Sequence, residues 1–376
     1  MPGKSVLLTA MSLDYGGAET HVVDLASELT KFGWHVVVAS QGGRLVPELA
    51  RRGITHHIAP LHSRSPLQLL AAVNSVASLA RSHRSEILHA HGRIPAWVCA
   101  QVQKSRQDTP LLTTYHGVYA SGFPWNLVTR EGDLTIAVSE DVKTHLVLNL
   151  GFDRSKISVI PNGIDTSRFR PAPAPELRHK LLQQDDAPLL LNVSRLDGIF
   201  AEPALALVEA LFALERQLPG ITAVIVGDGD RAKEINRECV RINAMLGRRA
   251  ALMAGAQHDV VPYLLSADVV VAVARAALEA MACEKPVVFA GEGGMRGAIS
   301  EQKLHVLREH NFTARGSGEP ITCDSMASAV SELLQEPGAA ADAARAGRNM
   351  VRTEYSWEVL TPKILEVYDR ALALRR

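Results

Sequence analysis

Residues 5–40 read SVLLTAMSLDYGGAETHVVDLASELTKFGWHVVVAS, and this stretch decides the fold. Ser5–Ala10 is a short apolar run, and a glycine-containing loop follows it. Within Ala18–Phe32, Val22, Leu25, Ala26 and Leu29 recur at helical spacing, and Trp34–Ser40 is a second, continuous β-branched run. Continuous runs, as opposed to alternating ones, belong to parallel strands buried on both faces. A strand, a glycine turn, a helix and a second such strand form the repeating unit of a doubly wound sheet. Outward from there, more strands are predicted at Ile87–His89, Leu111–Tyr115, Leu134–Val138 and Ile157–Ile160, with helical segments between most of them. Arg170-Pro-Ala-Pro-Ala-Pro175 then interrupts the pattern, because alternating proline continues neither a helix nor a central strand and makes a semi-rigid linker. The alternation restarts with strands at Leu189–Val193, Thr222–Val226, Ala251–Met253, Val269–Val273 and Pro286–Ala290 and a helix at Pro203–Leu218. Trp357–Leu374 closes the chain with helical periodicity through Val359, Leu360, Ile364, Val367, Tyr368 and Leu372.

The reading is therefore α/β, with two Rossmann-like doubly wound domains. They cover 1–169 and 177–356, joined by a linker at 170–176, with the 357–376 helix packing back on the first. Two such sheets place a cleft between their carboxyl ends, where ligands bind. The length of 376 residues accommodates two such domains. With 47% hydrophobic and 21% charged residues the chain is neither disordered nor fibrous. Lys+Arg and Asp+Glu are 40 each, so a dedicated nucleic-acid binder is disfavoured. That balance is a sum of two parts: residues 1–168 hold 16 basic and 13 acidic residues, or +3, and the remainder holds 24 and 27, or −3. Arg51 to Ser85 contains Arg51, Arg52, Arg64, Arg81 and Arg84, four histidines and no acidic residue. Within it Pro66–Arg84 reads as an amphipathic helix through Leu67, Leu70, Val73, Val76 and Leu79. A peripheral contact of 51–85 with an anionic membrane or an anionic acceptor stands beside the plain reading of a solvated helix.

The cysteines at 99, 239, 283 and 323 form no CxxC pair and read as buried structural thiols, without zinc or disulfides. The N-terminus reads as a first strand and not as a signal peptide. The most apolar stretch, Leu264 to Ala282, is broken by Asp268, Arg275 and Glu279. No transmembrane helix is expected, and the expected location is cytoplasmic, peripheral at the inner face of the membrane if 51–85 touches it.

Several motifs sit at predicted strand ends. Gly16-Gly17-Ala18-Glu19 opens the first helix, where glycines allow close backbone approach and free N–H groups favour a phosphate or sugar. His89-Ala-His91-Gly92 and Thr113-Thr114-Tyr115-His116-Gly117 end two strands and point histidines toward a cleft; His-x-His has no third ligand at a typical metal spacing. Ile160-Pro-Asn-Gly-Ile-Asp165 closes the last strand of the first domain. Asn192-Val-Ser-Arg195-Leu-Asp197 places an arginine where its fork could grip a diphosphate. Val226-Gly227-Asp228-Gly229 is another strand-end glycine turn. Leu278-Glu279-Ala-Met-Ala282 puts a carboxylate one turn into a helix, where it can accept both hydroxyls of a ribose, and the N–H groups of that loop, at Ala276 and Leu278, can take phosphates.

In this order and spacing the segments GGAETHVVDLASELTKFGWHVVV, HAHG, TTYHG, AVSE, VIPNGID, SRLD, VGDGD, AGAQHDVVPYLLSAD and LEAMACEKPVV resemble the GT-B glycosyltransferases, specifically the retaining glycosyltransferase family 4. The resemblance covers essentially the whole chain. It implies a nucleotide-sugar donor, with UDP favoured, held mainly by the C-terminal domain. The acceptor, a glycan, lipid-linked or small molecule, would be held mainly by the N-terminal domain. It also implies a retaining transfer with no cofactor and no metal. On this resemblance His116 and Arg195 are the catalytic pair. Gly16, Gly17, Arg195, Gly227, Asp228, Arg275, Ala276, Leu278 and Glu279 bind the donor, and His89, His91 and Tyr115 line the acceptor side. The sequence departs from the family at two places. The lysine usual five or six residues after the arginine of SRLD is replaced by Phe200 and Ala201. The first glutamate of the usual Glu-x7-Glu pair is replaced by Val271, and the loop after it is the shorter Ala274-Arg275-Ala276-Ala277, whose Arg275 could supply the missing cation. A GT-B nucleotide-sugar 2-epimerase and a non-catalytic nucleotide-sugar-binding scaffold stand as the alternative readings.

Overall fold

The computed structural model describes residues 4–63, 65–173, 176–182 and 186–375. Arg64 of the basic stretch, residues 174 and 175 of the proline linker, the first three residues and Arg376 lie outside the described residues. By its internal contacts the chain divides into two units, Met1–Gly163 with Trp357–Arg376, and Ile164–Ser356.

The first unit is built on a seven-stranded parallel sheet: β1 (Ser5–Thr9), β2 (His35–Ser40), β3 (Thr55–Ile58), β4 (Ile87–His91), β5 (Leu111–Tyr115), β6 (Leu134–Ala137) and β7 (Ile157–Val159), in the order β3-β2-β1-β4-β5-β6-β7. All residues of β1, β4 and β5 are buried, as continuous apolar runs require. The order reverses between β1 and β4, and the loops leaving these strands are where such sheets bind ligands. Helix Gly17–Lys31 and the C-terminal helix Trp357–Ala373 cover one face, with Val22, Leu25, Leu29, Trp357, Leu360 and Tyr368 in one apolar cluster. Helices Pro66–Ser82 and Arg93–Gln103 cover the other, through Val76, Ala80 and Val98.

The helix predicted in the basic stretch forms, but its five apolar positions do not share a face. Ala72, Val76, Ala77 and Ala80 are buried, whereas Leu67 is 81% and Leu70 60% exposed. The cause is the strict three-residue spacing: each step falls about 60° short of a full turn, so five such positions wind around the helix.

The second unit is a six-stranded sheet: β8 (Leu189–Val193), β9 (Thr222–Val226), β10 (Ala251–Gly255), β11 (Val269–Val271), β12 (Val287–Gly291) and β13 (Gly294–Ala298), in the order β10-β9-β8-β11-β12-β13. All pairings are parallel except the antiparallel β12–β13. Its switch point lies between β8 and β11. The four thiols are free; Cys99, Cys239 and Cys283 are buried, but Cys323, expected in the interior, is partly exposed at the start of helix Cys323–Gln335. Among the described residues no helix is long and apolar enough to cross a membrane.

Candidate functional site

In the second unit, the loops on either side of the switch point bring Arg195, Arg275 and Glu279 to the carboxyl ends of β8 and β11. Arg195 leaves the end of β8, exposed, with its guanidinium 4.3 Å from the ring centroid of Phe200. The loop that carries it is zipped by backbone bonds to the turn after β9: Ser194 N–H donates to Val226 C=O at 3.2 Å and Leu196 N–H to Asp228 C=O at 3.0 Å. Glycine is obligatory in that turn, because a Cβ at Gly227 would lie 2.0 Å from the Ser194 carbonyl oxygen. The structure thus places Gly227 and Asp228 as the support of the arginine loop. They also border a concavity of about 810 Å³, lined in addition by Lys233, Asn236, Arg237 and Met253. The sequence reading missed Lys233 and Arg237; their i, i+4 spacing at the start of the helix after the glycine turn was the available signal.

After β11 the chain turns sharply at Ala274, whose φ of +50° is left-handed, and the turn is held by Ala274 N–H donating to Phe312 C=O at 2.7 Å. Helix Ala274–Ala282 starts there with Val273 at its N-cap, a side chain with no oxygen to offer the first-turn N–H groups. Arg275 Nε donates to Glu279 Oε1 at 2.8 Å, and both side chains are about nine-tenths buried, at 9% and 11% exposure. The expected loop Ala274–Ala277 is the first turn of this helix; Leu278, its fifth residue, is buried and its N–H bonds back to Ala274 C=O, so it is not available to a ligand, whereas Ala276 is partly exposed with its N–H in the open first turn.

In the first unit the switch point gathers imidazoles. His91, at the end of β4, has Nδ1 3.1 Å from Nε2 of His116, just past the end of β5, and the rings stack with centroids 5.4 Å apart. His116 Nδ1 donates to Asn162 Oδ1 at 3.0 Å. That leaves His116 Nε2 as the acceptor from His91 Nδ1–H, and His91 Nε2 then has no partner. His21 from the first helix approaches both, 5.1 Å from His116 and 5.7 Å from His91 between centroids. Trp357 lies 5.2 Å from His21. A Cβ at Gly163 would meet the Trp357 ring at 2.4 Å, so glycine is required in the Pro-Asn-Gly turn that presents Asn162. Burial holds His116 and His91 neutral: it pulls His116 down to about 4 against the opposing bond to Asn162. It also pulls His91 well below the ordinary histidine value, aided by the neighbouring His89, His116 and His21. One ring nitrogen each from His21, His91 and His116 lies within 4.8 Å of the others, a spacing a metal ion could use. The fold therefore supplies the third ligand that sequence spacing did not show.

Two residues expected on the acceptor side are interior instead. His89 is fully buried, lowered to about 3 by burial, with Nδ1 2.8 Å from the Tyr368 hydroxyl and Nε2 2.7 Å from Thr114 Oγ1. Tyr115 is fully buried and its hydroxyl donates to Arg130 C=O at 2.8 Å. At the first helix, a Cβ on Gly16 would lie 2.2 Å from Glu19 Oε2, so a carboxylate overhangs the Gly16–Gly17 turn. Such a turn suits sugar hydroxyls better than a phosphate.

Residues 15–168 match the family model described as Glycosyltransferase Family 4, and residues 187–336 match Glycosyl transferases group 1. A D-inositol 3-phosphate glycosyltransferase of Kineococcus radiotolerans is 27% identical over 96% of this chain and 91% of that protein. A glycosyltransferase of Rickettsia africae superposes with a TM-score of 0.79 at 23% identity, covering 99% of each chain. Anabaena HepE, solved with UDP-glucose, gives 0.78 at 21% identity over 97% of this chain and 99% of that one.

Proposed function

The chain belongs to glycosyltransferase family 4 and has the GT-B fold, and from that premise we propose that it moves a sugar from a nucleotide-diphosphate donor with retention at the anomeric carbon and without a metal ion. One observation carries this reading: Arg195 and the Arg275–Glu279 pair leave the two strands that flank a single switch point, beside a helix start with no side-chain cap. Transfer is limited by charge developing on the departing diphosphate, and fixed positive groups lower that barrier most. Arg195 supplies a bidentate fork, steadied by Phe200. The Arg275 side chain and the first-turn N–H groups of Arg275 and Ala276 supply the rest, in place of the lysine the family usually has. Glu279 accepts the ribose hydroxyls.

In the first unit, His116 lies beside the transferred sugar, with Asn162 fixing its tautomer and His91 behind it. Gly16 and Gly17 approach the sugar hydroxyls. Neutral imidazoles joined by hydrogen bonds suit a donor and acceptor of protons to sugar oxygens. UDP is the proposed nucleotide, which the UDP-glucose bound by the HepE relative supports. The acceptor is a glycan or envelope-type glycoside, and the exposed Leu67 and Leu70 in the acid-free 51–85 stretch support peripheral contact with an anionic membrane. Calorimetry with UDP, GDP and ADP in excess chelator tests the donor assignment. UDP is expected to bind, and Arg195→Ala to weaken it at least about tenfold. Equal affinity in the variant would remove Arg195 from the site.

A further inference from the structure

Arg93 follows His91 and Gly92 and is the first residue of helix Arg93–Gln103. It is only 9% exposed. Its guanidinium lies 5.0 Å from the ring centroid of Tyr119 and 5.5 Å from that of Trp125. One Nη2–H donates to the Ala120 carbonyl. Nε is buried with no hydrogen-bond partner, and among the described residues no carboxylate pairs with this cation. Burial lowers its pKa, and the groups that oppose this are the Tyr115 and Tyr119 hydroxyls, not an acid. The contrast is with Arg275, equally buried, which has Glu279 at 2.8 Å. Arginine does not shed its proton at any physiological pH. A folded protein therefore holds a desolvated positive charge here with its counter-charge missing, an arrangement that is strongly unfavourable unless an anion completes it.

We propose that Arg93 is the receptor for an oxyanion on the acceptor substrate, so that the acceptor carries a phosphoryl or carboxylate group. The two aromatic rings flank the guanidinium, and with only Ala120 C=O taken, it keeps enough unpartnered N–H groups for two oxygens of one anion. The place fits. Arg93 is two residues beyond His91, whose ring stacks on His116, and Gly92, at φ +90°, makes the bend between them. An anion at Arg93 would thus sit at the start of the helix that directly follows His91. The unit, residues 1–163 with 357–376, holds 19 basic against 15 acidic residues, which favours an anionic partner over a neutral one. The donor diphosphate is assigned to arginines of the other unit and does not need this one. The inference rests on the glycosyltransferase reading and names its acceptor class.

The test uses the full chain, with Arg93→Met to remove the charge and Arg93→Lys to keep it without the fork. Thermal unfolding is followed with inorganic phosphate or acetate at constant ionic strength, chloride being the control. Transfer to a sugar phosphate, a uronic acid and the corresponding neutral sugar is then compared. Phosphate or acetate is expected to raise the wild-type Tm and not that of Arg93→Met, and the more effective anion identifies the oxyanion. On anionic acceptors Arg93→Met is expected to raise the acceptor KM about ten- to a hundredfold, with Arg93→Lys intermediate. The donor KM is the reference against which that change is read. An Arg93→Met protein with the wild-type anion response and acceptor KM would make Arg93 a clamp for the Ala120 loop and overturn the proposal. So would a wild type that prefers the neutral sugar. If Arg93→Met does not fold, an Arg93→Lys protein with wild-type KM overturns it equally. Wild-type protein that releases no nucleotide from any donor refutes the transferase reading instead, so the two failures are distinguishable.

Discussion

Replacing Glu279 by alanine perturbs the donor site and a buried ion pair at once, and the two effects can be separated. The side chains of Arg275 and Glu279 are 9% and 11% exposed, so solvent screens them little. Removing one partner of a buried pair costs about 3–5 kcal/mol, mostly by stranding the other charge. The expected loss is placed at the lower end of that range, about 3 kcal/mol. For a unit the size of Ile164–Ser356 this corresponds to a Tm lowered by about 6–12 °C. In the double variant Arg275→Ala, Glu279→Ala the stranded cation is gone as well, so more than half of that loss should be recovered. Donor affinity should behave differently. Losing a carboxylate that accepts ribose hydroxyls removes charge-assisted bonds worth about 1.5–3 kcal/mol, or roughly ten- to a hundredfold in the Kd for UDP. The double variant restores stability but not affinity. Glu279→Gln, which keeps an accepting oxygen, should fall between. Scanning calorimetry and titration calorimetry with UDP read the two quantities on the same samples. A Glu279→Ala protein with wild-type Tm and wild-type UDP affinity would refute both the pair energetics and the ribose assignment.

Acid should unfold the first unit early. His89 and His116 are lowered to about 3 and about 4, and His91 is lowered too. Below pH 6.5 the unfolded chain therefore takes up protons that the native chain does not, and stability falls as pH falls, by about 1.4 kcal/mol per unit per histidine until the native groups titrate. A Tm that stays flat between pH 7 and 5 would contradict this. Chelator should leave transfer intact, whereas added Zn²⁺ should inhibit by drawing His21, His91 and His116 together; activity lost in chelator and restored by Zn²⁺ would overturn the metal-free mechanism. Phe200→Ala removes the ring 4.3 Å from the Arg195 guanidinium and should weaken UDP about two- to fivefold with little change in Tm; an unchanged Kd would show that the ring does not position the arginine.

The strands that could be read in advance are those whose burial is two-sided. Leu111–Tyr115, Leu189–Val193 and Thr222–Val226 form as predicted because most of their residues are apolar or small enough to be covered on both faces, and the larger polar ones, Tyr115 and Asn192, are hydrogen-bonded. Thr55–Ile58 and Gly294–Ala298 were missed for opposite reasons. The first is a polar edge strand, THHI, and the second, GMRGA, contains the glycines that weaken strand propensity. His89 and His91 illustrate the limit at the site. Two residues apart on one strand, they share a face by sequence, yet β4 runs on to His91 and leaves His89 mid-strand, bonded to Tyr368 from the far end of the chain. The contacts of His116 with Asn162 and His91, and the approach of His21, likewise depend on separations that no local pattern encodes. Arg195 and Glu279 could be put forward from sequence because an arginine at a strand end and a carboxylate one turn into the following helix carry their chemistry in their position. Arg275 was readable as a replacement cation, but its pairing with Glu279, and the support Phe200 gives Arg195, show only through the contact geometry.

The most direct measurement of the central claim is nucleotide release from a panel of UDP-, GDP- and ADP-sugars, in excess chelator and with an acceptor present, for the wild type and Arg195→Ala, together with the anomeric configuration of the product by NMR. A metal-free retaining transfer driven by Arg195 predicts release of UDP in chelator, a product with the donor's anomeric configuration, and a rate lower by about a hundredfold or more in the variant. An inverted product, or an Arg195→Ala protein that releases nucleotide at the wild-type rate, would contradict it.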